Sequence, residues 1–171
     1  GVPLLRRQVL AAMTTGCPVA VTLRDADAER RAALADVPVH IEPVPDAGEG
    51  MAASLRRAVG MLIEGQSLGV LLPDVPGMAG SDIGVVLEAF RCGSEQKVMR
   101  ASDPEGRPGT PLFLPYKVAR LFAGLRGDEG GRSVLKGRDV ELVRFDDDRA
   151  TIDLDTPEDW SAWRSASGIP E

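Results

Sequence analysis

The stretch LGVLLPDVPG, residues 68–77, decides how the rest of the chain reads. Leu68 to Leu72 is the most apolar strand-like run of the sequence, and Pro73 closes it. A run that short, bounded by proline, reads as a buried strand rather than a helix. Asp74 follows directly. A carboxylate at the end of a buried strand is costly unless it is paired, hydrogen-bonded or on a metal. In open α/β sheets ligands bind beyond the carboxyl ends of strands, so Asp74 is a candidate for chemistry. A turn or helix-capping role explains an aspartate there equally well.

Outward from this strand, helical and strand-like patterns alternate to both ends. Upstream, Leu4, Leu5, Val9, Ala12 and Met13 recur at helical spacing and Gly16 can end that helix. Val19–Leu23 and Val37–Ile41 read as strands, with a helix over Ala26–Ala35 between them. Gly48 and Gly50 open a helix over Met51–Glu64. Downstream, Ser81 can cap a helix to Phe90. Lys97–Ala101 reads as a weaker strand, and a Gly/Pro-rich loop at 104–111 leads into Leu112–Leu114. Tyr116–Leu125 reads as a helix and Ser133–Lys136 as a turn. Val140–Phe145 and Thr151–Leu154 read as strands, and a last helix runs from about Pro157 to Ala166. Such alternation predicts an α/β fold: a Rossmann-like, mostly parallel sheet with helices on both faces, within a single domain over 1–171.

Composition narrows the partners. The 171 residues are 43% hydrophobic, enough for a sizeable core. A net charge of −6 disfavours nucleic acid, whose backbone it would repel. A nucleotide that arrives with magnesium is compatible, because the metal brings positive charge. No apolar run is long enough to span a membrane, and no secretory signal is present, so a cytoplasmic location is expected. Cys17 and Cys92 are too few for a disulfide framework and lack zinc-site spacing. His40 is the one histidine, which leaves a Ser-His-Asp triad poorly supported. Trp160 and Trp163 read first as packing residues and second as a homo-oligomer contact.

Three further segments carry candidate chemistry. In IDLDTPEDW, residues 152–160, alternation puts Asp153 and Asp155 on one face, although D-T-P-E-D is also a good helix start. Asp74 and Asp155 would make a magnesium pair if their strands end side by side. After Gly50, the small residues Ala52, Ala53 and Ser54 leave room for an anion or base near free backbone N–H groups, or for close helix packing. GRPGTPLF (106–113) and GDEGGRSVL (127–135) are Gly-rich turns that either line a pocket or simply connect elements. Arg56 and Arg57 read as a solvated helix face.

Taken in order, these segments resemble the MobA/MocA-type nucleotidyltransferase family. GVPLLRR at the start looks like its G-x-P-L-L helix start. GMAASL, residues 50–55, resembles the G-M-x-x-S-L of the molybdenum-cofactor cytidylyltransferase branch, and LLPDVPG (71–77) resembles the L-x-D-x-P metal site. GRPGTPLF resembles G-x-x-G-H-P, with Thr110 where histidine is usual. GDEGGRSVL resembles G-D-x-G-A-R-x-L-L, and IDLDTPEDW the closing D-I-D-T-P-E-D.

The resemblance implies transfer of a nucleoside monophosphate from CTP or GTP to a phosphorylated acceptor such as molybdopterin, with release of pyrophosphate. It implies magnesium on Asp74, with Asp155 as second carboxylate and Asp153 as the less favoured one. Gly50 and Ser54 would face the nucleotide, and Gly109, Thr110 and Asp128 would lie nearer the acceptor. GMAASL leans towards cytidine. In the family a first strand and an L-A-A-G-x-S-x-R-M-G-x-x-K loop precede G-x-P-L-L and wrap the triphosphate. Neither is found before Gly1; the gap this would leave in the sheet is costly, so either further residues precede Gly1, or another strand or a neighbouring chain fills it, and a chain without that loop is expected not to turn nucleotide over. A non-catalytic nucleotide-binding or accessory module of the same fold and a sugar-phosphate nucleotidyltransferase are the alternative readings.

Overall fold

A computed structural model describes residues 2–93, 95–127, 129–154 and 156–167. Among these the chain forms α1 (Leu4–Met13), β1 (Ala20–Leu23), α2 (Ala28–Ala32), β2 (His40–Pro43), α3 (Met51–Gly60), β3 (Leu68–Val70) and α4 (Gly80–Cys92). There follow β4 (Val98–Ser102), β5 (Pro108–Leu114), α5 (Tyr116–Ala119), a 3-10 turn (Arg120–Gly124), α6 (Gly131–Leu135), β6 (Val140–Arg144) and α7 (Pro157–Ser167).

The fold is α/β, with its strands in two sheets. β1 and β2 pair in parallel, while the larger sheet has the order β3-β5-β4-β6. β5 runs against both of its neighbours and β4 pairs in parallel with β6. Three of the four strands in the larger sheet therefore point one way. No described ladder joins the two sheets, so the outer edge of β3 has no described strand beside it.

Strand alternation sorts side chains onto two covered faces. Val98 of β4 and Leu112 and Leu114 of β5 pack with Leu55 and Val59 of α3 and with Phe122 of the 3-10 turn. Met99, Ala101 and Phe113 face the other way, onto Ile83, Val86 and Phe90 of α4. Phe90 stacks on Phe113 with ring centroids 5.8 Å apart. A third cluster, Val9, Leu23, Leu34 and Val37, closes α1 over β1. Full burial of one such side chain is worth about 1.5–3 kcal/mol, so these clusters hold the layers together.

Several local expectations change. Lys97–Ala101 looked weak, yet β4 is the central strand of the larger sheet, with four of its five residues buried. Leu68–Leu72 looked most buried, yet β3 is an edge strand and only half-buried. Thr151–Leu154 is not a strand. Its backbone is tied by single bonds, not a ladder: Thr110 N–H donates to the Ala150 carbonyl at 2.9 Å and Leu154 N–H to the Asp74 carbonyl at 3.1 Å. Ser81 does not cap α4; the Asp82 carboxylate instead accepts from the Ala79 N–H at 2.9 Å. Arg56 is no solvated residue, since its guanidinium clamps Asp46, Glu49 and the Leu125 carbonyl. Trp160 and Trp163 meet edge to face, and Arg7 of α1 lies over the Trp163 ring.

Candidate active site

A cleft of about 160 Å³ opens beyond β3. Its lining includes Asp74, Arg100, Gly109, Thr110, Thr151 and Asp153. The chain reaches it from three directions: the turn after β3, the adjacent strands β4 and β5, and the segment after Ala150.

Each piece has a local cause. Pro73 and Pro76 stiffen the turn that carries Asp74. Gly77 sits there because a Cβ would lie 2.6 Å from the Arg149 carbonyl oxygen. Arg149 is anchored by Asp147 and, at 3.2 Å, by Asp82 of α4. Hydrogen bonds donated to the Asp147 carboxylate, against the opposing cost of desolvation, push the Arg149 guanidinium above its ordinary range. Gly109 has the same kind of reason: a Cβ would collide with the Ala150 carbonyl oxygen. The glycine admits protein backbone at closest approach, which fixes 150–153 against β5.

Thr110 is buried, and its hydroxyl works on the end of β3. It accepts from the Leu72 N–H at 3.2 Å and donates to the Val70 carbonyl at 3.3 Å. Those backbone groups are thereby satisfied where the β3–β5 ladder stops. Behind the cleft, Asp103 is fully buried. Burial pushes its carboxyl up, but bonds from the Arg107 N–H and guanidinium outweigh this and hold it below the usual carboxylate range.

The backbone bond from Leu154 to Asp74 supplies the adjacency that spacing alone leaves open. It sets the 153–154 segment beside the Asp74 turn, and an aspartate of each lines the cleft. Hard oxygens of that number and type suit magnesium, which takes one or two carboxylates and completes its shell with phosphates and water. Among the described residues no group of three or more His, Cys, Asp or Glu side chains is gathered to hold a metal without such help.

Of the residues picked out from sequence, the cleft brings together Asp74, Asp153, Gly109 and Thr110. Asp128 and Asp155 lie outside the described residues. Gly50 and Ser54 are not among the cleft residues. Gly50 begins α3 with φ +93°, a conformation suited to glycine. Ala52 and Ala53 are fully buried, and the Ala52 N–H donates to the Gly127 carbonyl at 3.3 Å. The small residues of α3 thus let the backbone at Gly127 approach the helix. Arg100 and Thr151 escape the sequence reading. The available signal for Arg100 is one arginine inside an otherwise apolar strand, VMRAS.

A parallel-rich α/β fold with a cleft lined by two aspartates suits an enzyme of the nucleotidyltransferase class. The comparisons agree, and the family follows from them. A family model described as the MobA-like NTP transferase domain matches residues 1–144, and the chain belongs to that family. Rv0371c of Mycobacterium tuberculosis H37Rv superposes with a TM-score of 0.78 at 23% identity, over 95% of this chain and 83% of that one. A manganese complex of the same protein gives 0.78 and 23%, over 93% and 84%. Mth528, a nucleotidyl transferase from Methanothermobacter thermautotroptrophicus, gives 0.78 at 18% identity, over 97% and 81%. CMP:2-keto-3-deoxy-manno-octonic acid synthetase complexed with CTP gives 0.72 at 12%, over 97% and 88%. These likenesses are of fold. No curated protein matches the chain. No helix among the described residues is long and apolar enough to cross a membrane.

Proposed function

We propose that this nucleotidyltransferase moves a cytidylyl or guanylyl group from CTP or GTP to a phosphorylated small-molecule acceptor such as molybdopterin. An acceptor phosphate oxygen bonds to the α-phosphorus, the bond from that phosphorus to the α–β bridging oxygen breaks, and pyrophosphate leaves with the electron pair. The observation that carries the reading is the meeting of Asp74 and Asp153 in one cleft, locked by the Leu154 to Asp74 backbone bond.

Asp74 and Asp153 hold magnesium, with Asp155 of the same segment as a further ligand. Magnesium held by these carboxylates would supply positive charge to offset that of the phosphates. The manganese complex of Rv0371c supports a divalent ion in this fold. In this reading the family roles carried over are Gly50 and Ser54 for the nucleotide and Gly109, Thr110 and Asp128 for the acceptor; of these, Gly109 and Thr110 line the cleft. GMAASL, at the start of α3, leans the base preference to cytidine, and the CTP complex of the synthetase is in keeping with it. The protein's own contribution is positioning and electrostatics.

The test is pyrophosphate release from CTP and GTP, with magnesium and molybdopterin, by the full-length protein and its Asp74→Asn variant. Release with CTP that the variant loses by 100-fold or so, about 2.7 kcal/mol of barrier, is the expected result. Release unaffected by the variant overturns the metal assignment. Release with other phosphorylated acceptors alone overturns the choice of acceptor.

A further inference from the structure

Arg100 occupies an unusual place for an arginine, inside a largely buried strand and on the lining of the cleft. Other part-buried arginines, such as Arg56 and Arg149, are held by carboxylates. Among the described residues Arg100 has no such partner. It stands in the middle of the central strand β4, between buried Met99 and buried Ala101. Its one hydrogen bond sends Nε to the Gly109 carbonyl at 2.6 Å, which pins the guanidinium to the wall of the cleft. Among the described residues its terminal nitrogens have no acceptor. Arg132 is near enough to repel it. Burial, and then that repulsion, draw the Arg100 guanidinium below its ordinary range.

A half-buried cation beside a second cation is costly without a counter-charge. The same cleft is lined by Asp74 and Asp153. The cleft is smaller than the roughly 300 Å³ at which sites for whole small molecules begin, so it suits one charged group. A guanidinium and two aspartates on one small cleft match a phosphate carrying a divalent ion, the carboxylates suiting the metal and the planar fork the free oxygens.

We propose that Arg100 is a phosphate-binding residue of this cleft, gripping oxyanions of the reacting phosphates from the β4 side, with Arg132 adding positive field. The proposal rests on the nucleotidyltransferase reading of the cleft and adds an anion-binding wall to it. The ligand chemistry is a phosphate oxyanion, supplied by the metal-bound polyphosphate or by the phosphomonoester acceptor.

Calorimetric titration with inorganic pyrophosphate plus magnesium, and separately with inorganic phosphate without metal, tests it on the full chain. The variants are Arg100→Met, Arg100→Lys and Asp74→Asn, each with a urea midpoint. Arg100→Met is expected to weaken anion binding roughly 10- to 100-fold, the loss of one charge-assisted contact. Its urea midpoint should stay or rise, because an unpaired cation has gone; Arg100→Lys should fall between. Weakening confined to magnesium pyrophosphate identifies the polyphosphate as the source, and weakening with phosphate alone identifies the acceptor. A lowered midpoint with unchanged anion affinity overturns the proposal and makes Arg100 structural. Loss in Asp74→Asn alone overturns the Arg100 assignment and leaves the cleft reading standing. A wild-type chain that binds neither anion overturns both.

Discussion

Replacing Gly109 by alanine adds one methyl group where there is no room. The new Cβ would run into the Ala150 carbonyl oxygen and lie 3.0 Å from Thr151 Cγ2. Backbone, not a flexible side-chain tip, is what must move. Overpacking of this kind costs about 1–3 kcal/mol. Pushing Ala150 away also loosens the 2.9 Å bond from the Thr110 N–H, worth about 0.5–1.5 kcal/mol net. Against this, alanine reduces unfolded-chain freedom by about 0.4–1 kcal/mol. The net expectation is a loss of about 1–3 kcal/mol, or roughly 3–10 °C in Tm for a chain of this size. Urea denaturation followed by circular dichroism measures it. Gly84→Ala is the matched control: it lies inside α4 with nothing within 4 Å of a built Cβ, so it should stabilise by about 0.5–1 kcal/mol. Equal effects of the two substitutions would refute the steric argument. An unperturbed Gly109→Ala protein would also show that segment 150–153 is not held against β5 as described.

Other expectations follow from the same contacts. Thr110→Val keeps shape but leaves the Leu72 N–H without its acceptor, so stability should fall by about 1–3 kcal/mol in the same urea assay. Asp103 has a depressed folded pKa, so its contribution is present above the unfolded carboxylate value near 4 and lost as pH falls through the folded one. The midpoint difference between wild type and Asp103→Asn should therefore be full at pH 7 and shrink on acidification below about pH 4. Manganese or magnesium at about 100 times its Kd should add about 2.7 kcal/mol of stability, read as a Tm rise that Asp74→Asn abolishes.

The sequence reveals the architecture better than the layering. Short β-branched runs and helical spacing mark most elements, because period and length are local properties. Which strand lies innermost is not local. Leu68–Leu72 is apolar enough for any central position, yet pairs on one side alone, while VMRAS, broken by Arg100, is flanked by β5 and β6. The I-D-L-D alternation has the period of a strand, yet residues 151–154 join no ladder, and single backbone bonds at Ala150 and Leu154 hold the segment instead. The partners of Arg56, at Asp46 and at the Leu125 carbonyl, leave no mark in the local pattern. At the cleft, the aspartate after a strand and the glycine before Thr110 are visible. Their meeting is not, since it depends on one backbone bond between distant segments. The role of Gly109 also changes in kind, from a gap for ligand to a seat for protein backbone.

The bond from Leu154 to Asp74 has a consequence for how the protein comes into being. Every strand of both sheets precedes Asp153 in the chain. A ribosome delivers the N-terminal part first, and that part can begin to pair as it emerges. The acidic pair forms last, once the closing segment docks. A nascent or clipped chain that keeps both sheets but lacks this segment would be folded in outline without the cleft that Asp74 and Asp153 line, so the candidate site is completed only after residues 150–154 have emerged and docked.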